Sequence, residues 1–402
     1  MEIIEKAMCS GCRTCMYVCP VKAISVETDE YGFEHVVIDD KLCVQCEKCK
    51  SVCPMQNGNA VKNLRGEKTE CGSAYAKDME ERWNGSSGGL FGIFAKEVIK
   101  NAGEGVVYGA AFDEKLKLKA RMAETEEELY PLFKSKYLLC DIDDKFREIK
   151  EKLEQGKQVL YCSSPCQIAG LKLYLGKNAE EEYPNLFLID FVCHGVGSQS
   201  LFDQSLQYTE KKKGIKIRKV IFRYKVKRAA SNYYYNYLYS RKGKSLEKRD
   251  IFLSFPYYYA YCERFVCREC CYFCPFASED RVGDITIGDF HTIQNHNPRI
   301  DRFAGVSMYV LNTEKGERLF KQVEDKLHYD RYDWNVIKKE NRFNGVEKIP
   351  DKRNRFLEEI RIHSFDKAVR KYLNPFRDWR WIYYKLPGWI RKTGMKILGG
   401  RS

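Results

Sequence analysis

The sequence feature that most constrains the fold is a cysteine run that occurs twice near the N-terminus. Each copy has the spacing Cys-x2-Cys-x2-Cys-x3-Cys and is followed directly by a proline. The cysteines are Cys9, Cys12, Cys15 and Cys19 in the first copy and Cys43, Cys46, Cys49 and Cys53 in the second. All four cysteines and the proline recur at one fixed offset, so the second copy repeats the first.

This spacing is that of bacterial ferredoxins, in which the fourth cysteine of each run binds the cluster of the other run. The rule therefore predicts two four-iron (4Fe-4S) clusters. The predicted ligands are Cys9, Cys12, Cys15 and Cys53 for the first cluster and Cys43, Cys46, Cys49 and Cys19 for the second. A module this small has little apolar core, so we expect metal binding to supply much of its folding free energy.

Zinc binding and disulfide formation account less well for these cysteines. Zinc sites use paired Cys-x2-Cys couples, whereas this chain has two identical quartets that end in Cys-Pro. A disulfide scaffold is typical of a secreted chain, and residues 1–8 contain no signal peptide. Eighteen cysteines without an export signal indicate a reducing compartment and metal or redox chemistry, so we expect a cytoplasmic protein.

The length of 402 residues exceeds one ordinary domain, and the patterning predicts three regions with an overall α+β fold class. Residues 1–62 are the bacterial ferredoxin-like module, followed by a polar linker. Residues 72–310 alternate strands with helices, which predicts an α/β domain with a central sheet. Residues 311–402 are predicted to be a helical, basic and aromatic extension.

The net charge of +13 is concentrated towards the C-terminal end. Residues 364–402 contain ten Lys or Arg against only Asp366 and Asp378. A positive surface there would attract acidic electron carriers or anionic lipid headgroups, and a simple solvated face is the alternative. No apolar run approaches the roughly 20 residues that cross a bilayer, so we expect any membrane contact to be peripheral. The basic residues form no nucleic-acid-binding motif.

Three turns after predicted strands carry small or unusual residues. They are residues 84–89, 163–167 and 193–197. Ligands of open α/β sheets bind beyond the carboxyl ends of strands, so these turns mark a candidate site. The Gly-Ser loop at 84–89 precedes a predicted helix, and such a loop offers backbone amides and a positive helix end to a phosphate. A purely structural turn is the alternative.

A second dense cysteine block lies between Cys262 and Cys274. Its pairs, Cys267 with Cys270 and Cys271 with Cys274, suit either zinc or a further iron-sulfur cluster. The adjacent Cys270 and Cys271 would face one zinc ion only with difficulty. The block is therefore a candidate metal site of either kind.

Together these motifs resemble the β-subunit family of hydrogenases and dehydrogenases that use coenzyme F420, a deazaflavin, with a double-cluster ferredoxin module attached. The stretches that carry the resemblance are 87–89, 135–137, 164–167, 190–195, 271–275 and 284–290. They lie within residues 72–310 and follow the order of the family's motifs. Bacterial members that are similar to this chain are associated with surface-polysaccharide assembly.

The resemblance implies an FAD-binding fold that holds a third four-iron cluster beside the flavin. The implied cluster ligands are Cys166, Cys193, Cys271 and Cys274. The implied flavin-binding residues are Ser87, Gly88, Gly89, Ser135, Lys136, Tyr137 and Ser164. In this interpretation the glycine amides and Lys136 offset pyrophosphate charge, and Tyr137 stacks on a ring.

The chain also departs from the family pattern. Lys134 and Ser163 stand where the pattern predicts glycines, and His291 and Thr292 stand where it predicts Trp and Gly. The changes at His291 and Thr292 bear on which substrate binds more than on which cofactor binds. The remaining cysteines that match no family motif are interpreted as structural, and they are Cys71, Cys140, Cys162 and Cys262.

The cysteine runs and the resemblance predict an iron-sulfur flavoprotein oxidoreductase. A low-potential carrier, a ferredoxin or a flavodoxin, would feed single electrons through the clusters to FAD, which passes a hydride to a substrate. His194 is the candidate catalytic proton donor, with an ordinary turn histidine as the alternative. The alternative function is a non-catalytic electron-transfer subunit that docks onto a partner oxidoreductase.

The deazaflavin is one candidate substrate, and a sugar-linked or lipid-linked compound is another. The second would suit residues 379–396, whose tryptophans and cations favour a membrane interface. This segment therefore predicts peripheral contact with the anionic inner face of a membrane. Packing of the segment against the α/β domain is the alternative.

Overall fold

The computed structural model describes residues 2–64, 70–101, 103–226, 234–340 and 343–386. Its N-terminal module contains an antiparallel hairpin and three short helices. The strands are β1 (Ile24–Thr28) and β2 (Glu34–Ile38), and the helices are α1 (Thr14–Val18), α2 (Lys48–Ser51) and α3 (Pro54–Asn57). Gly32 in the turn of this hairpin has the left-handed φ of 86° that favours glycine.

An eight-stranded mixed sheet forms the centre of the larger domain, as the alternating pattern predicts. In spatial order its strands are β13 (Leu327–Arg331), β3 (Cys71–Ala76), β12 (Ser307–Leu311), β11 (Ile285–Asp289), β7 (Leu186–Phe191), β6 (Gln158–Ser163), β4 (Gly105–Phe112) and β5 (Leu118–Ala123). Strands β11, β7, β6 and β4 run parallel, and the other pairs are antiparallel. The carboxyl ends of the four parallel strands therefore meet at one edge, where the turns at 163–167 and 193–197 begin.

The two outermost strands, β5 and β13, are absent from the pattern that the sequence predicts. Strand β5 alternates buried residues with more exposed ones such as Arg121, and in β13 only Leu327 is buried, whereas Asp330 and Arg331 are exposed. Edge strands commonly carry charges, so they lack the continuous apolar run of β4 or β7. Strand β13 also places residues 327–331 in the sheet, although the sequence predicts a helical extension over 311–402.

Helices cover both faces of this sheet. The α-helices between residues 79 and 337 are α4 (Met79–Asn84), α5 (Leu90–Val98), α6 (Glu126–Leu129), α7 (Lys145–Glu154), α8 (Pro165–Leu175), α9 (Ala179–Glu182), α10 (Gln199–Lys213), α11 (Pro256–Cys262), α12 (Ile293–His296), α13 (Glu314–Lys321) and α14 (Trp334–Ile337). Successive residues of a strand point to opposite faces. Val107 of β4 accordingly packs in one core with Phe94 of α5, whereas Tyr108 packs in another with Phe146 of α7.

A second, three-stranded antiparallel sheet follows the order β10-β9-β8. Its strands are β8 (Lys216–Phe222), β9 (Tyr234–Arg241) and β10 (Lys244–Ile251). The basic strand β8 pairs with the aromatic strand β9. Tyr235 and Tyr237 are buried with ring centroids 5.5 Å apart, so they pack the sheet.

The ferredoxin-type module packs directly against the larger domain. Tyr17 of α1 stacks on Phe146 of α7, with ring centroids 5.1 Å apart. A Cβ on Gly170 of α8 would lie only 2.2 Å from Thr14 Oγ1, so the lack of a side chain there lets α1 approach α8. The cysteine loops of the module are thus held close to the turn that begins α8.

Three further helices complete the described chain. They are α15 (Arg353–Ile362), α16 (Phe365–Tyr372) and α17 (Trp379–Lys385). Trp381 and Tyr384 of α17 pack against the domain core, whereas Phe376, Trp379 and Ile382 are exposed. Residues 387–396 of the predicted interfacial segment lie outside the described residues. Within the ranges that the structure describes, no helix has both the length and the apolar character to cross a membrane.

Candidate functional site

The structure gathers the eight repeated cysteines into two groups. The second group is Cys19, Cys43, Cys46 and Cys49, which line one small cavity. The first group is Cys9, Cys12, Cys15 and Cys53, whose thiolate charges act on one another. Each group takes three thiols from one run and the fourth from the other run. This is the crossed arrangement that the ferredoxin rule predicts.

The chemistry of the first group fits a four-iron cluster. Burial, together with the charges of Cys12 and Cys9, raises the pKa of Cys53 to about 11. Burial and the same two neighbours also raise the pKa of Cys15. Crowded, buried thiols ionise only when positive charge compensates them, and iron supplies that charge. Thiolate donors are also the ligands that four-iron clusters use.

The backbone of the two loops repeats as well as the cysteines. Gly11 and Arg13 in the first loop have φ angles of 70° and 60°, and the equivalent Gln45 and Glu47 have 55° and 57°. Left-handed non-glycine residues cost energy and cluster at functional sites. The recurrence of this costly conformation at matching positions indicates that the loop shape serves the thiols it carries.

The described residues hold no group of three or more His, Cys, Asp or Glu side chains arranged to bind a single metal ion. The arrangement therefore offers no support for the zinc alternative at Cys267, Cys270, Cys271 and Cys274. In a four-iron cluster each thiolate binds a different iron, so its four sulfurs stand further apart than the ligands of one ion.

A third cysteine group lies next to the first. Cys166 is in the first turn of α8, and its thiol is close enough to Cys12, Cys193 and Cys274 to feel their charges. Cys274 in turn feels the charge of Cys271. The structure therefore brings the four cysteines of the implied third cluster together from three separate segments. Burial, together with those charges, raises the pKa of Cys166 well above its usual value.

Arg268 lies between the first and third groups. Its buried guanidinium donates to the carbonyl oxygen of Cys9 at 3.0 Å and to that of Glu34 at 2.6 Å. Its charge acts on Cys9 and on Cys271. A hydrogen bond with Cys270 is the main reason that the pKa of Cys271 falls to about 6, and Arg268 adds to that effect. Sequence reasoning missed this residue.

A cavity of about 280 Å³ lies at the edge of the central sheet. It is lined by residues from all three predicted turns and from the 135–137 motif. The predicted site residues in its wall are Ser87, Gly89, Ser135, Lys136, Tyr137, Ser164, Cys193 and His194. Cys193 thus belongs both to the third cysteine group and to the cavity wall, so the two features are continuous.

Some of the predicted flavin residues are engaged by the protein itself. The Gly88 amide donates to Ser307 Oγ at 2.9 Å, and a Cβ there would lie 2.3 Å from a backbone oxygen of β3, so Gly88 is required for packing. Ser87 Oγ donates to the carbonyl of Val306 at 2.7 Å. Lys136 Nζ donates to three carbonyl oxygens of residues 131–133. Gly88 lies behind the cavity wall, and the others lie within it.

Aromatic and imidazole side chains complete this part of the cavity. Tyr137 stacks on Tyr261 and Tyr258, with ring centroids 4.3 and 5.4 Å apart. The ring of Tyr137 therefore already stacks on two tyrosines of the protein. His194 lines the cavity next to Cys193.

An excess of positive charge surrounds the Gly-Ser loop at 84–89. Burial lowers the pKa of Lys136 to about 7. Burial and the charge of Arg223 lower the pKa of Lys134 to about 8. Burial, Lys134 and Arg223 lower the pKa of Lys225 to about 6. An anion in the cavity would relieve this repulsion, so the wall fits a ligand that carries phosphate.

Arg223 pairs with a carboxylate of the cavity wall. Its guanidinium donates to both oxygens of Asp289, at 2.6 and 3.0 Å. Burial raises the pKa of Asp289, but the charges of Arg223 and His291 and the hydrogen bonds from Arg223 and Ser87 together lower it further, so the carboxyl stays ionised. Lys134 has a left-handed φ of 68°, which explains why the family pattern predicts glycine there. Lys225 and Arg223 follow β8 and were missed, because only folding brings them to the loop.

The lowered pKa of Lys225 predicts how the stability of the protein depends on pH. Its pKa of about 6 in the folded chain lies below the roughly 10.4 of an unfolded lysine. The unfolded state therefore binds more protons between these values, so this residue makes the free energy of unfolding rise with pH. We expect the stability of wild type relative to Lys225→Met to increase as pH rises from about 6 to 9. Urea unfolding at several pH values measures this.

The matched control for that experiment is Lys244→Met, which changes an exposed lysine of β10. The control should follow the wild-type pH dependence. Parallel stability curves for wild type and Lys225→Met would show that the buried lysine does not titrate as described.

Two cysteines interpreted as structural line the cavity. They are Cys140 and Cys162, and burial raises the pKa of each to about 12. The sequence analysis interprets Cys140 and Cys162 as structural, and it does not place them at the site. Cys262 packs in the core beside Tyr137, and Cys71 is buried and donates to the carbonyl of Tyr332 at 3.3 Å. These two contact the protein as ordinary buried thiols do.

Comparison with known proteins identifies two parts of the chain. Residues 8–57 match the family model for a 4Fe-4S dicluster domain. Residues 156–333 match the family model for the C terminus of the coenzyme F420 hydrogenase/dehydrogenase beta subunit. The second match includes the four cysteines of the third group and lies beyond the 84–89 and 135–137 stretches. The two matches indicate iron-sulfur electron transfer and a redox role.

Two further comparisons find less similarity. No curated protein matches the chain. Among solved structures, a chain from the F420-reducing NiFe hydrogenase complex of Methanosarcina barkeri, in a xenon derivative, is 15% identical with a TM-score of 0.40. That alignment covers 75% of this chain and 91% of the hydrogenase chain.

Proposed function

We propose that this protein is an iron-sulfur flavoprotein oxidoreductase, which passes single electrons from its ferredoxin-type module to a flavin in the 280 Å³ cavity. The observation that carries the proposal is a continuous series of thiols. The first cysteine group adjoins the third through Cys12 and Cys166, and Cys193 of the third group lines the cavity. A relay of one-electron centres that ends at a ligand cavity is the arrangement such an enzyme needs.

When bound, FAD would supply the change from the one-electron transfer of four-iron clusters to two-electron chemistry. The residues of the chain would bind and position these groups. The twelve thiols of the three groups would hold iron, and Lys134 and Arg223 of the cavity wall would attract the anionic diphosphate of FAD. Gly89, with a φ of 90°, begins α5 and directs the positive helix end towards the same wall.

The catalytic part of the proposal concerns His194 and the substrate. His194 would hold a proton at the cavity wall, close to where a hydride acceptor binds. The acceptor is either the deazaflavin or a sugar-linked or lipid-linked compound of polysaccharide assembly. Exposed Phe376, Trp379 and Ile382 would support peripheral contact with an anionic membrane in the latter case.

Anaerobic purification with iron, sulfide and flavin quantification tests the proposal. We expect about twelve iron atoms per chain from three four-iron clusters, together with one FAD. The bound flavin should be reduced when a dithionite-reduced dye is added. Iron without flavin would favour the alternative of a non-catalytic electron-transfer subunit, and a folded chain without iron would contradict both functions.

A pair of variants sharpens this test. Arg223→Gln removes a cavity cation and should lower flavin content while the iron content stays the same. The control is Arg249→Gln, at an exposed position of β10, which should retain both iron and flavin. Full flavin content in Arg223→Gln would show that the basic wall does not bind the cofactor.

A further inference from the structure

The second cysteine group is the one that reaches the surface. Cys46 is exposed, and Cys19 and Cys43 are half-buried. All four thiols of the first group are buried, and they are Cys9, Cys12, Cys15 and Cys53. The first group is enclosed because α1 packs on α8 beside Cys166. An electron that arrives from outside therefore finds its most accessible acceptor at the second group.

Large apolar side chains surround this exposed group. In the described part of the module, residues 2–62, the exposed large apolar side chains are Val21, Leu42 and Val44, at 39%, 54% and 59%. Val21 and Val44 line the same small cavity as Cys46, and Leu42 lies on the same loop. We call Val21, Leu42, Val44 and Cys46 the docking face. Exposed apolar residues that cluster in this way mark interaction sites.

The charges around the docking face are of both signs. Lys41 and Lys48 are exposed, as is Asp39. Glu47 pairs with Lys50 at 2.8 Å, which reduces the effect of both charges. The rim therefore gives little electrostatic preference, and apolar contact is what this face offers a partner.

We propose that the docking face receives a one-electron carrier protein whose own redox centre lies at its surface, and that electrons enter the chain here. One electron leaves the reduced carrier and one enters the second cluster, and no bond or proton is exchanged. The continuity of this face with the series of cysteine groups identifies the occupant as a redox partner. Its small extent suits a transient electron-transfer complex, which typically buries less than about 1,200 Å².

This inference rests on the proposed function only in requiring that the ferredoxin-type clusters form. The test uses the anaerobic holoprotein and follows cluster reduction by stopped-flow absorbance. The probes are a reduced bacterial ferredoxin and, separately, dithionite, which needs no docking surface. We expect Leu42→Glu combined with Val44→Glu to slow reduction by ferredoxin about tenfold or more, since central interface residues commonly have effects of this size. Reduction by dithionite should not change.

Matched variants make each outcome decisive. Leu246→Glu changes an exposed apolar residue of β10 and should leave both rates unchanged. Leu42→Glu alone spares the cavity of the second group and replaces the double variant if the latter loses iron. Unchanged reduction by ferredoxin in an iron-loaded variant would overturn the proposal. A wild-type chain that self-associates through this face, as judged by sedimentation, would also overturn it.

Because the measured signal is cluster bleaching, it does not require a bound flavin. A protein without flavin whose clusters still accept electrons at the docking face would contradict the proposed enzyme and leave the docking face standing. Rapid flavin reduction that the docking-face variants do not slow would support the proposed enzyme and contradict the docking face. The two failures are therefore distinguishable.

Discussion

Cys193→Ala is expected to lower the iron content from about twelve to about eight atoms per chain and to stop electrons from reaching the cavity. The reason is geometric, because Cys193 belongs to the third cysteine group and also lines the cavity. Without it, the first and second clusters would remain but would lose their connection to the proposed flavin. Iron quantification, together with stopped-flow reduction of the ferredoxin-type clusters and of the flavin, measures both effects.

The control for this variant is Cys71→Ala, which removes another thiol of the larger domain. Cys71 is buried in a separate apolar core and donates to a carbonyl, so its loss should leave about twelve iron atoms and normal flavin reduction. A Cys193→Ala protein with full iron content and unchanged flavin reduction would show that the third group is not part of the relay.

Asp190→Ala is expected to lower the free energy of unfolding by about 3–5 kcal/mol, because it leaves the Arg281 cation buried without its partner. Both residues are fully buried, and Asp190 Oδ1 accepts from Arg281 Nη2 at 2.9 Å. The other carboxylate oxygen accepts from the backbone amides of Val282 and Gly283, at 3.1 and 2.9 Å. Urea unfolding of the holoprotein, followed by circular dichroism, measures the change.

The matched control is Glu154→Ala, which breaks an exposed pair with Lys150 at 3.8 Å. An exposed pair of this kind contributes about 0–1 kcal/mol, so the control should unfold close to wild type. Equal destabilisation by the two substitutions would show that the Asp190 pair is not buried and isolated from water.

The contacts of Asp190 give a physical reason for one of the motifs that carry the family resemblance. Asp190 lies near the carboxyl end of β7 and holds the 281–283 segment against it. Asp284 acts in a similar way, because its carboxylate accepts from the Leu188 amide and from Thr313 Oγ1, each at 2.8 Å. These acids fix the strands that position Cys193, and they do not line the cavity.

The local patterns were predictable because their causes are local. Three cysteines on one short loop restrict where a cluster can form, whatever the rest of the chain does. Buried strands such as β4 and β7 have apolar runs that need no knowledge of their neighbours. The turns at 84–89, 163–167 and 193–197 follow from the positions of those elements, and the structure places all three at one cavity.

The cations and cysteines that gather around the 84–89 loop and the cavity were not predictable in this way. Lys225 lies far along the chain from the 84–89 loop, yet it donates to the carbonyl oxygens of Arg82 and Ser87. That contact exists because the second sheet packs beside the loop, and no local pattern records such packing. Cys140 and Cys162 also line the cavity, although the sequence indicates only structural thiols there.

Residue order alone thus establishes the spacing of the cluster ligands and the buried strands, since both depend on neighbours a few positions away. Long-range packing establishes which thiols adjoin the cavity, where the buried cations gather and which cluster faces solvent. These properties depend on the distances between segments that are remote in the chain, and burial and charge repulsion act across those distances only after the chain has folded.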